Sequence, residues 1–319
     1  MAKEDNMKNQ LHLELTTRCN LKCPACPRTQ FSEMVKKPVP KQDLDIDEFE
    51  KFMDCKSGEN IDELLLCGDY GDPIYYPKLK EFIERFRHKS FSIATAGSHR
   101  PKKFWEDLNT VLTEDDEVVF GIDGLEDTNH LYRRNSNWQS ILEAVDTVVK
   151  GPARVRWQTL IFSFNYNKLS EIKQFAEDRG AEFFALKTHR YGDESLRPPT
   201  DEMVETNYMW EENFVNNEII EIEPLCSMAK VVTSDGYFLP CDWIRNPKTF
   251  YKSDLWRERD HWYNRLKISD INLDQGLTKV DEWKQLVIKK GLEGSPRLDH
   301  LCKMRCRKGC YQDQTYDVQ

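Results

Sequence analysis

Two periodicities take turns along this chain. Short runs that are wholly apolar, or that alternate apolar with polar residues, are each followed by a stretch in which apolar side chains recur every three or four positions. The first pattern suits a strand and the second the buried stripe of a helix. Residues 11–17, LHLELTT, alternate and predict the first strand. A polar, proline-containing loop leads to DIDEFEKFMD, the first expected helix, where Asp45 and Glu48 stand at capping-box spacing and Ile46, Phe49 and Met53 share a face. Residues 63–68, ELLLCG, suit a strand buried on both sides, and Leu79, Phe82, Ile83 and Phe86 follow at helical spacing. Further strands are expected over 91–97, 117–123, 155–163 and 181–187. Between them helices are expected from Lys102, along the face Trp138, Ile141, Leu142, Val145 and Val149, and from Lys168 to a left-handed stop at Gly180. Six strand–helix units imply an α/β fold with a parallel sheet, open or curled into a partial barrel.

Past about residue 195 the rhythm breaks. RPPTDEM reads as a connector, a polar and aromatic helix is expected after it, and KVVTSDGYFLPC sets Asp235-Gly236 between two short β-prone runs, a hairpin signal. The expected organisation is a core over residues 1–195 and a smaller cysteine-rich α+β module over 196–319.

The 319 residues are 39% hydrophobic and 32% charged, with a net charge of −9, which disfavours duplex nucleic acid as a partner. No apolar run is long enough to span a bilayer, and MAKEDNMKNQ lacks the basic-then-apolar pattern of a secretory signal, so a cytoplasmic location is expected. In a reducing compartment ten cysteines are buried apolar residues, metal ligands or redox groups rather than disulfides. Eight of the ten are clustered, at 19, 23 and 26 and at 226, 241, 302, 306 and 310, which favours metal binding. Cys55 and Cys67 stand apart and read as buried, inert thiols.

The segment TTRCNLKCPACPR places Cys19, Cys23 and Cys26 on the loop after the first strand, where α/β proteins carry their chemistry. Structural zinc wants four closed positions, and no His or Asp lies close by as a fourth ligand. Three thiolates on a cubane of four irons leave one iron open to substrate. A chance grouping of loop cysteines is the remaining reading.

Cys19-x3-Cys23-x2-Cys26 at the mouth of a six-fold βα pattern resembles the radical SAM superfamily. The resemblance implies a partial (β/α)6 TIM-type barrel in which three cysteines hold a [4Fe-4S] cluster. It also implies that S-adenosylmethionine chelates the fourth iron and is reductively cleaved to a 5'-deoxyadenosyl radical that abstracts hydrogen from the substrate. CGDYGDP, ending the second strand, is similar to the family's Gly-Gly-Glu-Pro segment, with Tyr70, Gly71, Asp72 and Pro73 at its four positions. The resemblance implies that this strand end receives the SAM ammonium. IATAGSHR resembles the strand-end TNGS of the family through Thr95, Gly97 and Ser98, with Ala96 in place of Asn. GIDGLEDTNHLYRR resembles the stretch after the fourth strand: Asp123 and Gly124 fit, Gly121 stands where Ser is common, and Arg134 or its neighbour Arg133 would meet the SAM carboxylate. Phe162 and Asn165, on the fifth strand, would border the adenine or belong to the apolar strand core.

Cys226-x9-Gly236-x4-Cys241 is similar to the opening element of SPASM and twitch extensions, in which a hairpin supplies ligands to an auxiliary iron–sulfur cluster. CKMRCRKGC adds Cys302, Cys306 and Cys310, and five thiols close one [4Fe-4S] cluster with one left over; zinc is the competing metal. His189 and Arg190, at the end of the sixth strand, either face substrate or lie in a solvated loop.

Two classes of function follow. The first is a radical SAM oxidoreductase or maturase acting on a peptide or protein side chain, or alternatively on a small polar metabolite as twitch dehydrogenases do, with an electron donor such as flavodoxin or ferredoxin. Only 18 residues precede Cys19, so leader recognition is expected from the C-terminal module or another chain. The second class is a non-catalytic iron–sulfur or SAM-binding protein.

Overall fold

The computed structural model describes residues 9–188, 190, 196–199, 230–240, 260–293, 315, 316 and 318. Six strands form the centre of the sheet: β1 (Gln10–Leu13), β2 (Glu63–Leu66), β3 (Ser90–Thr95), β4 (Glu117–Gly121), β5 (Arg154–Leu160) and β6 (Glu182–Leu186). They pair in sequence order, every neighbour parallel. Parallel neighbours need a crossover, and helices supply it. The helices are α1 (Pro27–Val35), α2 (Ile46–Met53), α3 (Lys56–Glu59), α4 (Leu79–Arg85), α5 (Lys102–Asn109), α6 (Asn129–Tyr132), α7 (Trp138–Val148) and α8 (Leu169–Glu177). This is the α/β architecture of a partial barrel, as the alternating pattern predicts.

The local causes are those written in the sequence. The Asp45 carboxylate accepts from the amides of Asp47 and Glu48 at 2.9 and 3.0 Å, fixing the start of α2. Ile46, Phe49, Phe52 and Met53 then turn inward. Asn137 caps α7 in the same way, accepting from Ser140 N at 2.8 Å. The main core lies between sheet and helices, with Trp105, Trp157, Phe49, Phe82 and Phe91 fully buried. Burial of one such side chain contributes roughly 2–3 kcal/mol.

Two features depart from the expected outline. Helix α1 precedes the helix expected to be first; it starts on Pro27 at its first turn and buries no residue, so it has no apolar stripe to announce it. The expected hairpin is present as β7 (Val231–Val232) and β8 (Phe238–Leu239), antiparallel to each other, and β7 extends the sheet in parallel with β1. Val231, Val232, Phe238 and Leu239 join the main core, as do Leu273, Val280, Trp283 and Val287 of α9 (Leu273–Leu292). At the other edge β9 (Thr315–Tyr316) runs antiparallel to β6. The helix expected after RPPTDEM lies outside the described residues. Among the described residues no helix is long and apolar enough to cross a membrane.

Candidate functional site

The carboxyl ends of β1 to β6 converge on a second, smaller apolar cluster of Leu21, Cys23, Ala96, Tyr132, Leu160, Phe162 and Leu196. Cys19 and Cys26 pack against it. The thiol loop is held by its backbone: Leu21 N donates to Cys19 Sγ at 3.4 Å, Cys26 N to the Cys23 carbonyl at 3.1 Å, and Cys26 Sγ to the Asp69 carbonyl at 3.4 Å. Cys26 is also the N-cap of α1. Burial raises the pKa of all three thiols, that of Cys23 to about 11. Cys19 is raised further by Asp72 and by both other thiols, and Cys23 by Cys26, whereas Arg133 draws Cys23 back down. Three neighbouring thiols that burial holds back from ionising are a donor set that a cationic iron cluster relieves, and in that respect the residues fit such a group. Among the described residues no three Cys, His, Asp or Glu side chains are gathered for a metal ion.

Around the thiols each strand end is cross-braced. Asp72 is turned inward: Oδ2 accepts from Thr95 Oγ1 and Ala96 N, both at 2.9 Å, and Oδ1 accepts from Ile74 N at 3.2 Å. Burial raises its pKa, and these bonds oppose the rise. Thr95 Oγ1 also accepts from Gly97 N at 3.0 Å. Ser98 is fully buried, its hydroxyl accepting from Asn137 N at 2.8 Å and its carbonyl from the Tyr75 hydroxyl at 2.7 Å. Asp72, Thr95 and Ser98 thus lock β2, β3 and the start of α7 to one another. Tyr70 and Gly71 are half-buried at the end of β2. Gly71 is required by close approach, since a Cβ there would lie 1.9 Å from the Thr16 carbonyl oxygen.

Asp123, with no exposed surface, accepts from Leu160 N at 2.8 Å through Oδ1 and from Arg133 Nε at 2.6 Å through Oδ2. Arg133 rather than Arg134 therefore takes the inner position; Arg134, the residue favoured from the sequence, is exposed. Burial works against the Arg133 cation, but the fields of Asp123, Cys23 and Tyr132 hold its pKa above the ordinary value. Gly121, standing where Ser is common in the resembling pattern, makes room for it: a Cβ there would lie 2.6 Å from Arg133 Nη2. Phe162 is fully buried and packs on Tyr132 at 4.9 Å and Phe164 at 5.2 Å. Asn165 spends its amide on the scaffold, donating to the carbonyls of Asp123 and Leu160 at 2.7 Å each and accepting from Phe162 N at 2.8 Å.

Arg190 is not a solvated loop residue. Its Nη1 donates to the Tyr132 hydroxyl at 3.0 Å, and Tyr132, Cys26 and Asp69 together raise its pKa although burial opposes the charge. Its position just past β6 was the sequence signal for it. The Asp123–Arg133 pairing and the Tyr132–Arg190 contact had no such signal, because partners on separate loops and a short helix share no periodic spacing. His189, Cys226, Cys241, Cys302, Cys306 and Cys310 lie outside the described residues.

The radical SAM superfamily profile matches residues 13–178, more than half of the chain. The chain belongs to the radical SAM superfamily. In sequence it is 21% identical over 241 residues to the tungsten-containing aldehyde ferredoxin oxidoreductase cofactor-modifying protein of Pyrococcus furiosus, covering 72% of this chain and 61% of that protein. In structure this radical SAM chain is similar to SuiB of Streptococcus suis bound to S-adenosylmethionine, at 14% identity and a TM-score of 0.55, covering 80% of this chain and 65% of SuiB. It is also similar to anSMEcpe with bound AdoMet and Kp18Cys peptide, at 17% identity and a TM-score of 0.57, covering 89% and 83% of the two chains. The chain thus spans less than two thirds of the curated relative and of SuiB.

Proposed function

We propose that this is a radical SAM enzyme in which Cys19, Cys23 and Cys26 hold the [4Fe-4S] cluster, and that its substrate is a peptide or protein side chain. The bound cluster and S-adenosylmethionine supply one-electron cleavage of the sulfonium and a carbon radical that abstracts hydrogen. The protein's own part is positioning and exclusion of water. Asp123 aims Arg133, whose planar fork suits the carboxylate of S-adenosylmethionine. Asp72, through Thr95 and the Ala96 amide, sets the end of β2 so that the backbone around Tyr70 and Gly71 can accept from the ammonium. Tyr132, Phe162 and Leu160 keep the thiol end apolar, Phe162 from within the core. The observation that carries this reading is the thiol loop after β1, with Cys23 buried and Cys19 and Cys26 packed on the same apolar cluster, next to the Asp123–Arg133 pair at the sheet's carboxyl end.

For the substrate, the anSMEcpe structure with its Kp18Cys peptide supports the peptide reading. The C-terminal hairpin supports the accompanying auxiliary [4Fe-4S] cluster on Cys226, Cys241 and the thiols among Cys302, Cys306 and Cys310, with zinc as the competing metal. The name of the curated relative, a cofactor-modifying protein, favours the second reading, a small polar metabolite. Anaerobic incubation with S-adenosylmethionine and dithionite tests the activity through 5'-deoxyadenosine. Deuterium carried into that product from a deuterated peptide supports the peptide reading; label arriving only from a small metabolite overturns it. Cys241→Ala is expected to spare S-adenosylmethionine cleavage while impairing substrate turnover.

A further inference from the structure

Charge is unevenly distributed along this chain. Between Arg18 and Asp43 stand six basic residues, Arg18, Lys22, Arg28, Lys36, Lys37 and Lys41, against two acids, Glu33 and Asp43, so the segment carries +4 in a chain whose total is −9, and with Arg18 paired to Asp43 at 2.7 Å the free charge sits on the lysines and Arg28. The segment is one excursion that leaves the carboxyl end of β1 and returns to it. Thr17 N donates to the Gln42 carbonyl at 2.9 Å, Gln42 N donates to Thr17 Oγ1 at 2.8 Å, and Thr16 bridges to Asp43. The three candidate cluster cysteines lie at its inner end, and α1 runs outward from Cys26 with no buried residue. Lys22, Lys36, Lys37 and Lys41 are exposed. So are Met34 and Val35, two of the three large hydrophobic side chains exposed among the described residues. Exposed Arg134 adjoins the same patch, its carbonyl accepting from Lys22 N at 2.9 Å.

We propose that this excursion is the docking surface for an acidic one-electron carrier protein. The inference rests on the proposed assignment of the cluster to Cys19, Cys23 and Cys26. A basic patch on an otherwise acidic protein steers an acidic partner to one face while net repulsion disfavours the others. Redox encounters sit at the small end of interface sizes, so a few lysines around an apolar centre such as Met34 and Val35 suffice. The nine residues of α1 span about 14 Å. A carrier seated on α1 is therefore near the thiols, and electron transfer falls steeply with distance. In the step itself the reduced carrier loses one electron and the cluster gains it; no proton or group moves.

The test uses the full chain with its cluster reconstituted, the Lys37→Glu/Lys41→Glu double variant, and an acidic flavodoxin as probe. Binding affinity and the rate of flavodoxin-driven cluster reduction are expected to fall about tenfold at low ionic strength, the difference shrinking as salt is raised. Cross-links from flavodoxin carboxylates are expected at Lys22, Lys36, Lys37 or Lys41. Dithionite-driven cleavage of S-adenosylmethionine should match the parent protein, which reports an intact site. Unchanged flavodoxin affinity and salt dependence, or cross-links confined to another face, overturn the proposal while leaving the cluster assignment standing. Loss of affinity for a substrate peptide with flavodoxin binding intact also overturns it. Failure of the parent protein to cleave S-adenosylmethionine with dithionite sinks the functional reading, and the docking proposal with it.

Discussion

Asp116 and Asp123 flank the same strand, β4, each with no exposed surface and each with an arginine at 2.6 Å. At the amino end Asp116 accepts from Phe91 N at 2.8 Å, Thr113 N at 2.7 Å and Arg87 Nη1 at 2.6 Å. These bonds tie the turn before β4 to β3 and to the segment after α4, where the Arg87 guanidinium lies over the Phe91 ring at 4.9 Å and the side chain is 30% exposed. At the carboxyl end Asp123 ties β4 to β5 through Leu160, but its arginine is half as exposed, at 15%, and its charge lowers the pKa of the Cys23 thiol against the effect of burial. The same ion pair closes the sheet at one end and aims a cation at the other. Buried charge pairs contribute little stability over apolar packing, so a pair pointed at a reactive group calls for a functional explanation.

That contrast can be broken by substitution. Asp116→Ala strands Arg87 and two amides and is expected to cost about 3–5 kcal/mol in chemical denaturation, with S-adenosylmethionine affinity of the folded protein unchanged. Asp123→Asn keeps an acceptor for Leu160 N but removes the counter-charge of the more buried Arg133, and is expected to cost about 3–5 kcal/mol as well while also weakening S-adenosylmethionine binding to reconstituted protein about tenfold in equilibrium dialysis. If both variants lost stability alike and neither lost affinity, the two ends would be equivalent and the functional reading of Arg133 would fail. Phe162→Leu conserves apolar character and is expected to cost about 1–1.5 kcal/mol with a few-fold loss of affinity. The smallest effect is expected for Gly121→Ala, which crowds Arg133 Nη2 by a flexible side-chain end. Stability within about 0.5 kcal/mol of the parent, with a two- to threefold loss of affinity, would show that the orientation of Arg133 matters beyond its charge.

The sequence announced the repeating architecture because strands and helices bury different periodicities, and all six strand signals reappear in the sheet order with the five expected helices between them. It announced the thiol loop through spacing and place. What it could not distinguish was Arg133 from Arg134: adjacent residues on a short helical turn differ only in which way the turn faces, and that is settled by Asp123 on another element. Asp72, Thr95 and Ser98 were legible as positions but not as braces, since their partners lie 23, 24 and 39 residues away. Helix α1 was missed for the reason that makes it interesting: it buries nothing. The parallel pairing of β7 with β1 was missed because two-residue strands carry no period.

The central claim is that three thiols on the loop after β1 hold a cluster with one iron left open to S-adenosylmethionine. Electron paramagnetic resonance of the anaerobically reduced protein, with and without S-adenosylmethionine, in the parent and in Cys23→Ala, tests it most directly. The account predicts a [4Fe-4S] signal in the parent that shifts when S-adenosylmethionine is added. In Cys23→Ala that signal should be lost, together with about four iron atoms. A signal indifferent to S-adenosylmethionine, or one that survives removal of Cys23 unchanged, would contradict it.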